Sequence, residues 1–581
     1  MKNGFRQSMA WLHTWSGLLV GWVLFLVFAA GTAAYWRPEI TFWMKPEMHA
    51  AALQASAQPA TPQQQAERAR QAVEWMQANA AGSPHWFITL PSAREPVSTL
   101  FWIKPHADPK GGRAVRFGEA TLDASGQPHA SARDTRGGDF LYRLHFDLHY
   151  LSPLTARWVV GFCAMFMLVA IISGIVTHKR IFADFFTFRP KKGQRSWLDA
   201  HNATAVLALP YHLMMTYTGL CTLMFMYMPW APKAAYGEAG LPAYQAEAFG
   251  GRPGNAQPSG EKAPLADVAA LVEQAQRRWG GLAGHVVVEN PGDAAAVITI
   301  ARQGDGNEMS LRPPSLRFEG VSGKLLGAAG EEPGAAVHTY NVMEGLHTAR
   351  FANVPLRWLF FLSGLMGCAM VATGLLLWAV KERPQHLKAL KRGEKGSLLL
   401  RVVDGLNLGA IGGLLVALPA YFWANRLLPV DLPDRANAEI SLFFAAWGLC
   451  LALGLARPSQ RLWQALLAVA GALLALMPLL NAATGGAHWG QSIPTGLWRV
   501  AGFDAVCLLL GLGLWAAVRW LRQREAAAAA ASTKAAARKT ASKTASKTAS
   551  KPAPETPKAA PEPPASAAAL PAIAPESPAT P

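Results

Sequence analysis

Long apolar runs separated by polar stretches are the main pattern of this chain. About 20 consecutive apolar residues are enough for a helix to cross the hydrocarbon core of a bilayer, and runs of roughly that length recur from one end of the chain to the other. We therefore predict an α-helical integral membrane protein with about eight transmembrane helices. The predicted spans are residues 10–35, 154–177, 200–228, 356–380, 402–424, 440–456, 462–480 and 498–520.

Basic residues are concentrated in two of the loops between these spans. Residues 178–195 carry six Lys and Arg, and residues 381–401 carry seven. Because short loops rich in Lys and Arg stay on the cytoplasmic side of a membrane, eight spans place both termini in the cytoplasm. Residues 36–150 and 229–350 then lie on the outer, periplasmic side.

The two outer segments follow one plan. Each begins with a helical pattern, at residues 61–79 and 265–279, and continues with strand-like runs. In the motifs LDASGQ and FEGVSGK a glycine lies between two such runs, which is typical of a hairpin. We predict a small α+β module in each outer segment.

Composition and charge limit the kinds of site and of partner that the chain can have. Half of the residues are hydrophobic (51%), and all five cysteines lie in apolar runs, so the sequence predicts no disulfide framework. It has no C-x-x-C-H motif, which excludes a covalently attached c-type haem. The net charge of +17 comes in part from residues 525–581, an Ala/Lys/Pro-rich stretch that we predict to be a disordered cytoplasmic tail. Besides the lipid bilayer itself we expect no nucleic-acid partner, because no folded basic module with interleaved aromatic residues is present.

The first 385 residues contain an internal repeat. Residues 13–31 and 201–219 each run from a histidine to a glycine 18 positions later, and residues 158–174 and 358–374 each run from a tryptophan to a glycine 16 positions later. The unit span–module–span therefore occurs twice in the same orientation, and a pseudo-twofold axis along the membrane normal should relate the copies.

The predicted organisation is a first transmembrane helix, an outer module, two transmembrane helices with a basic loop, a second outer module, a fourth transmembrane helix, four additional transmembrane helices, and the tail. The corresponding boundaries are 1–35, 36–150, 151–228, 229–350, 351–385, 386–524 and 525–581.

Histidines recur at two depths of this repeat. The repeat pairs His13 with His201 near the cytoplasmic face, and His149 with His347 near the outer face. Ionisable side chains inside a membrane span are costly, so they indicate function. Neutral imidazole is a usual axial ligand of haem iron, and the two facing pairs provide axial ligands for two haems.

The outer site has more candidate ligands than it needs. His145 lies one helical turn before His149 and faces the same side, so either residue can ligate while the other acts as a hydrogen-bonding residue behind it. His212 lies in the middle of its span, on the same stripe as His201. It is a rival ligand without a counterpart in the first copy, where Leu24 occupies the equivalent position.

Other polar residues permit plainer interpretations. Arg157 and Arg357 occupy equivalent positions at the outer ends of spans, where they suit haem propionates or simply the membrane interface. A single interfacial histidine is more often a surface residue than a ligand. We interpret His178 as an interfacial anchor and the remaining histidines, His49 among them, as surface residues.

Five motifs carry a resemblance to a known family. They are RQSMAWLHTWSGLLVGW, FLYRLHFDLHYLSPLTARWVVG, HKRIFADFFTFRPKKGQRSWLDAHN, LPYHLMMTYTGL and GLHTARF. Together they resemble the PepSY-associated transmembrane family of bacterial inner-membrane proteins over about residues 1–385. The outer modules are similar to PepSY domains, less closely than the spans are.

This resemblance implies a b-type protein of the bacterial inner membrane that holds two haems. Members of the family include reductases that carry electrons outward to reduce ferric siderophores or other Fe(III) chelates for iron uptake. It implies that the positions to inspect are His13, His149, His201, His212 and His347, with His145 close behind. The four spans beyond residue 385 depart from the four-span members.

The sequence leaves open both the identity of the electron donor and the activity. No G-x-G-x-x-G motif follows a strand, so the sequence predicts no nucleotide domain, and the donor is expected to be a membrane quinol or a separate reductase. A non-enzymatic membrane regulator or sensor with PepSY modules is the second hypothesis. A transporter is the third, in which the additional spans form the path.

Overall fold

A computed structural model shows a predominantly helical protein with one β-sheet. It describes residues 4–54, 60–92, 94–95, 97–105, 117–123, 125–128, 133–178, 189, 192–249, 256–304, 309–310 and 312–549. The α-helices are α1 (Phe5–Ala34), α2 (Arg37–Trp43), α3 (His49–Gln54), α4 (Pro62–Asn79), α5 (Gly137–Asp147), α6 (Pro153–Thr177), α7 (Gln194–Leu207), α8 (Leu209–Thr222), α9 (Met224–Tyr227), α10 (Trp230–Tyr236), α11 (Gly240–Phe249), α12 (Val268–Trp279), α13 (Ala335–Thr348), α14 (Val354–Lys391), α15 (Leu398–Asn407), α16 (Leu414–Leu427), α17 (Arg435–Ala456), α18 (Gln460–Ala475), α19 (Met477–Ala483), α20 (Trp489–Ser492) and α21 (Trp498–Ala549). The strands are β1 (His85–Thr89), β2 (Ser98–Ile103), β3 (Phe117–Leu122), β4 (Ala283–Glu289), β5 (Val297–Arg302), β6 (Ser315–Glu319) and β7 (Leu325–Ala329).

Six helices among the described residues are long and apolar enough to cross a membrane, and a bent pair formed by α18 and α19 raises the number to seven. The protein is therefore a multi-pass helical membrane protein, while the count of eight spans stays a prediction. The third predicted span, residues 200–228, is not one helix: it breaks at Ala208 between α7 and α8. Pro210 explains the break, because proline has no N–H to donate and its ring clashes with the preceding turn.

The repeated helices form one bundle in which the two copies contact each other. Helix α1 packs against α6 of its own copy and α14 of the other, while α7 packs against α14. Helices α6 and α14 also begin alike. Ser152 and Asn353 each accept a hydrogen bond from a backbone N–H of the first turn, and a proline follows each of these caps within two residues.

The strands of both outer segments lie in a single antiparallel sheet with the order β3-β2-β1-β4-β5-β6-β7. Strands and a helix were predicted in each segment as one small module apiece, whereas the strands of both segments share this sheet. Strand β1 pairs with β4, so that Trp86 lies opposite Val288. Helices α4 and α12 cover one face of the sheet through a shared core that includes Val73, Leu100 and Ile300.

The additional helices contact both copies of the repeat: α15 packs against α14 of the second copy, and other members join the first copy. A buried network joins the two parts: the indole N–H of Trp43 donates to Asp504 at 2.8 Å, and Arg426 donates to the carbonyl oxygen of Trp43. Arg435 and Glu439 form an ion pair that is fully buried. Between α15 and α16 the chain forms one π-helical stretch, Leu408–Gly413, in contact with α1.

The last helix extends into the segment for which a disordered tail was predicted. Helix α21 continues without interruption from Trp498 to Ala549, although disorder was expected from residue 525. The physical reason is composition, since alanine has the highest helix propensity and the first proline of the tail is Pro552. Residues 550–581, the rest of that predicted tail, lie outside the described part of the chain.

Candidate functional site

The first histidine pair is formed by α1 and α7. The ring centroids of His13 and His201 are 6.1 Å apart. The Nδ1 atom of His13 lies 2.8 Å from the carbonyl oxygen of Ala170, and that of His201 lies 2.9 Å from the carbonyl oxygen of Met370. A carbonyl oxygen only accepts, so Nδ1 carries the proton in both rings and Nε2 keeps its lone pair.

The second pair is formed by α5 and α13. The ring centroids of His145 and His347 are 6.0 Å apart. Their Nδ1 atoms donate to the carbonyl oxygens of Val27, at 2.7 Å, and of Met215, at 3.1 Å. These two carbonyls occupy equivalent positions of the repeat, so the second pair is held in the same way as the first.

A glycine lies against each of the four imidazole rings. A Cβ atom at Gly31 would lie 2.7 Å from His145, and one at Gly219 would lie 2.8 Å from His347. At Gly174 and Gly374 a Cβ would lie 3.1 Å from the rings of the first pair. These are the four glycines that define the sequence repeat, so their spacing preserves room for the rings.

The structure brings the ring of His347 together with that of His145 and not with that of His149, its counterpart in the repeat. Helix α5 ends at Asp147, and both Leu148 and His149 have left-handed backbone conformations, with φ of 50° and 60°. The turn rotates His149 away from the side that His145 faces. Its ring stacks on Phe444, with the centroids 5.4 Å apart.

His212 belongs to neither pair. It is fully buried. Its ring contacts Phe28, at 5.9 Å between centroids, and Tyr211, at 5.7 Å. A Cβ atom at Gly367 would lie 3.3 Å from its Nε2.

The donor set at each pair suits a haem better than a metal ion held by the protein alone. Among the described residues no group of three or more His, Cys, Asp or Glu side chains could hold a metal ion. A haem needs only two axial ligands from the protein, because the porphyrin supplies the others. Two imidazoles that bind one metal from opposite sides, at about 2.0–2.1 Å each, have ring centroids roughly 6–6.5 Å apart. The observed separations agree with this value.

The two pairs lie near opposite ends of α1. His13 is on the helix itself, and His145 contacts it at Val27, 14 residues further along. At 1.5 Å per residue, the two sites are separated by about 21 Å along the helix axis. One imidazole pair therefore lies toward each end of α1.

The two equivalent arginines are both engaged by carboxylates. Arg157 donates to Asp147 at 3.0 Å. Arg357 is buried, lies 3.5 Å from Glu39 and donates to the carbonyl oxygen of Ala352. The interfacial interpretation accounts for these contacts, and a role beside haem propionates stays a prediction.

The sequence missed His49, which was interpreted as a surface residue but is buried. Its Nε2 donates to the carbonyl oxygen of Phe42, and its Nδ1 accepts from the backbone N–H of Ala487. Burial, and secondarily the charge of Arg426, lower the pKa of His49 to about 4. It is a neutral structural bridge to the additional helices, and no spacing in the sequence signals that contact.

Comparisons with known proteins agree with the architecture. A family model described as the PepSY-associated TM region matches residues 10–381. An uncharacterized protein of Pseudomonas aeruginosa is 26% identical over 416 residues, which cover 68% of this chain and 96% of that protein. The matched family region contains both imidazole pairs and ends before the additional helices.

Proposed function

The chain belongs to the PepSY-associated transmembrane family, and from this premise we propose that it is a b-type protein that binds two haems and passes electrons across the bacterial inner membrane to Fe(III) chelates, such as ferric siderophores. The observation that carries the proposal is the presence of two facing imidazole pairs, with centroids 6.1 and 6.0 Å apart, near the two ends of α1.

Hydrogen bonds hold each imidazole in the tautomer that can bind a metal through Nε2. Four backbone carbonyls hold the proton on Nδ1, which leaves Nε2 as the ligand atom and fixes the plane of each ring. Such hydrogen bonds also raise the basicity of a ligating histidine. In this proposal His13 and His201 hold the cytoplasmic haem, and His145 and His347 hold the outer one.

When bound, each haem supplies a one-electron redox centre, and two centres at different depths give electrons a route through the low-dielectric bilayer. One electron converts Fe(III) in the chelate to Fe(II). Oxygen donors prefer the harder Fe(III), so reduction weakens the chelate and releases the iron. The electron donor is a membrane quinol or a separate reductase.

Haem content of purified variants tests the ligand assignment. We expect about two haems per chain in the wild type and about one in His145→Ala, because the outer pair loses a ligand. His149→Ala is the matched control, one turn away on the same segment, and should keep both haems. Haem is quantified by reduced-minus-oxidised spectra and by extraction.

A colourless wild type contradicts the proposal itself. Loss of haem in His149→Ala with full haem in His145→Ala contradicts the assignment of the outer pair.

A further inference from the structure

The turn between α13 and α14 carries an arginine, Arg350, close to the outer histidine pair. Arg350 follows His347 by three residues. On either side of it, Ala349 and Ala352 are buried in one apolar cluster with Tyr35, the residue that directly follows α1. Arg350 itself is exposed. The turn therefore packs against the outer end of α1 and leaves one guanidinium group uncovered there.

This guanidinium group makes no hydrogen bond or close ion pair with any other residue that the structure describes. Burial lowers the pKa of Arg350 most; Tyr142 raises this pKa, and the charges of Arg37 and Arg94 lower it. Burial and the charge of Arg350 also lower the pKa of His285 on β4. The side chain thus touches open space, but protein from the bundle and from the sheet surrounds that space.

The neighbours of Arg350 lie on the side of α5 that faces the outer pair. Tyr142 precedes His145 by three residues, and residues three apart share one side of a helix. The guanidinium of Arg37 lies 4.9 Å from the ring centroid of Tyr142, and Arg37 also pairs with Asp139. Charged groups from α2, from α5 and from the turn after α13 therefore meet beside the two outer histidines.

Arginines outnumber carboxylates in this group. Arg94 pairs with Glu39 at 2.7 Å, and Arg357 lies 3.5 Å from the same carboxylate. Arg499 donates to the carbonyl oxygen of Arg94 at 2.9 Å. The guanidinium groups are those of Arg37, Arg94, Arg350, Arg357 and Arg499, and the carboxylates are those of Glu39, Glu95 and Asp139. Five cations and three anions leave two positive charges without a counter-charge among the described residues.

The buried network of the additional helices has no such excess. Its cations are Arg133, Arg426 and Arg435, and its anions are Glu47, Glu439 and Asp504. The excess is therefore particular to the group around Arg350. Partly buried charge is costly unless an anion offsets it, so the excess indicates a ligand with negative charge.

We propose that Arg350 binds a propionate group of the outer haem and that the charge excess around it offsets the pair of propionates. Guanidinium groups bind carboxylates through paired hydrogen bonds, and the propionates of a haem extend from one edge of the porphyrin. The repeat suggested Arg157 and Arg357 for this role, but each of them already has a carboxylate partner. The inference rests on the proposed function and adds the residue that orients the outer haem.

Redox titration of the purified holoprotein tests this assignment without any reduction of Fe(III) chelates. In Arg350→Gln we expect the midpoint potential of one haem to become more negative, because an uncompensated propionate favours Fe(III), while the other haem stays unchanged. Arg350→Lys keeps the charge and should recover most of the shift. The matched control is Arg143→Gln, since Arg143 lies two residues from His145 on the opposite side of α5, where it pairs with Asp147 at 2.6 Å. Both potentials should stay unchanged in this control.

Redox-difference infrared spectra provide a second readout that a purely structural role would not move. With haem that is isotope-labelled at the propionate carboxylates, the labelled bands should shift in Arg350→Gln and stay in place in Arg143→Gln. Loss of one haem in Arg350→Gln but not in Arg350→Lys would also support the assignment.

Unchanged potentials and unchanged propionate bands in Arg350→Gln overturn the inference, and so does an equal shift in Arg143→Gln. Weaker binding of Ga(III) citrate to Arg350→Gln at unchanged potentials would assign Arg350 to a carboxylate of the electron acceptor and also overturn it. Equal haem loss in Arg350→Gln and Arg350→Lys with a lowered thermal midpoint would show a structural role instead. A wild type without haem sinks the proposed function, whereas a wild type with two haems and an unaffected Arg350→Gln sinks only this inference.

Discussion

At the scale of single residues, each imidazole is fixed from two sides. A backbone carbonyl holds Nδ1, and a glycine of a neighbouring helix leaves room for the ring. Neither contact involves the Nε2 atom, yet both determine where Nε2 points. The glycines are therefore as much a part of the site as the histidines.

Adding one methyl group should displace one ring. In Gly31→Ala the new Cβ would lie 2.7 Å from Nδ1 of His145 and would compete with its hydrogen bond to Val27. We expect the haem content to fall from about two to about one per chain, or the potential of one haem to shift. Redox titration followed by absorbance measures both quantities.

Gly17→Ala on the same helix is the control, because a Cβ there has no neighbour within 4 Å among the described residues. It should keep both haems and stabilise α1 by up to ~1 kcal/mol through helix propensity. Two unperturbed haems in Gly31→Ala would show that the glycine does not position the ring.

Part of the two histidine pairs could be predicted from the sequence. The constant spacing of the repeat identified His13 with His201, which the structure brings together, and it marked the four glycines without revealing their purpose. It could not separate His145 from His149, since residues four apart share a helix face only while the helix continues. The helix ends at Asp147, and the residue types that follow it do not predict two consecutive left-handed conformations.

At the scale of elements, buried charged side chains attach the additional helices to the rest of the protein. Glu439 is fully buried and accepts hydrogen bonds from Arg435, from Asn425 at 2.8 Å and from Thr135 at 2.5 Å. Thr135 lies two residues before the start of α5, so this network links α17 to the segment before α5. No motif or spacing in the sequence marks these residues as partners of one another.

Removing the carboxylate should destabilise this attachment strongly. In Glu439→Ala the guanidinium of Arg435 stays buried without its counter-charge, which costs about 3–5 kcal/mol. The comparison is Glu273→Ala, which breaks an exposed pair with Arg277 and should cost at most ~1 kcal/mol. Thermal and denaturant unfolding in detergent measure both variants, and equal effects would contradict a structural role for the buried pair.

The seven-stranded sheet could be predicted only in part from the sequence. Alternating patterns predicted the strands, but pairing of β1 with β4 joins residues about 200 positions apart. Alternation is the same for a strand at the edge of a small sheet and one in the middle of a large sheet. The register between the copies is therefore information that only the folded chain carries.

At the scale of the whole molecule, two copies of a span–segment–span unit share one bundle and one sheet, and imidazoles from both copies meet at two depths. This arrangement gives each pair one imidazole from each copy, so neither copy forms a pair alone. The additional helices pack against α1 and α14 of this bundle.

Electron transfer across a sealed membrane is the most direct test of this account. Proteoliposomes would hold a ferric chelate inside, with a membrane-impermeant reductant outside, and Fe(II) formation would be followed with a trapped colour reagent. We predict Fe(II) formation with the wild type and its loss in both His13→Ala and His145→Ala, because each variant interrupts one of two centres in series. Rates equal to those of protein-free vesicles for the wild type, or full activity in either variant, would contradict the account.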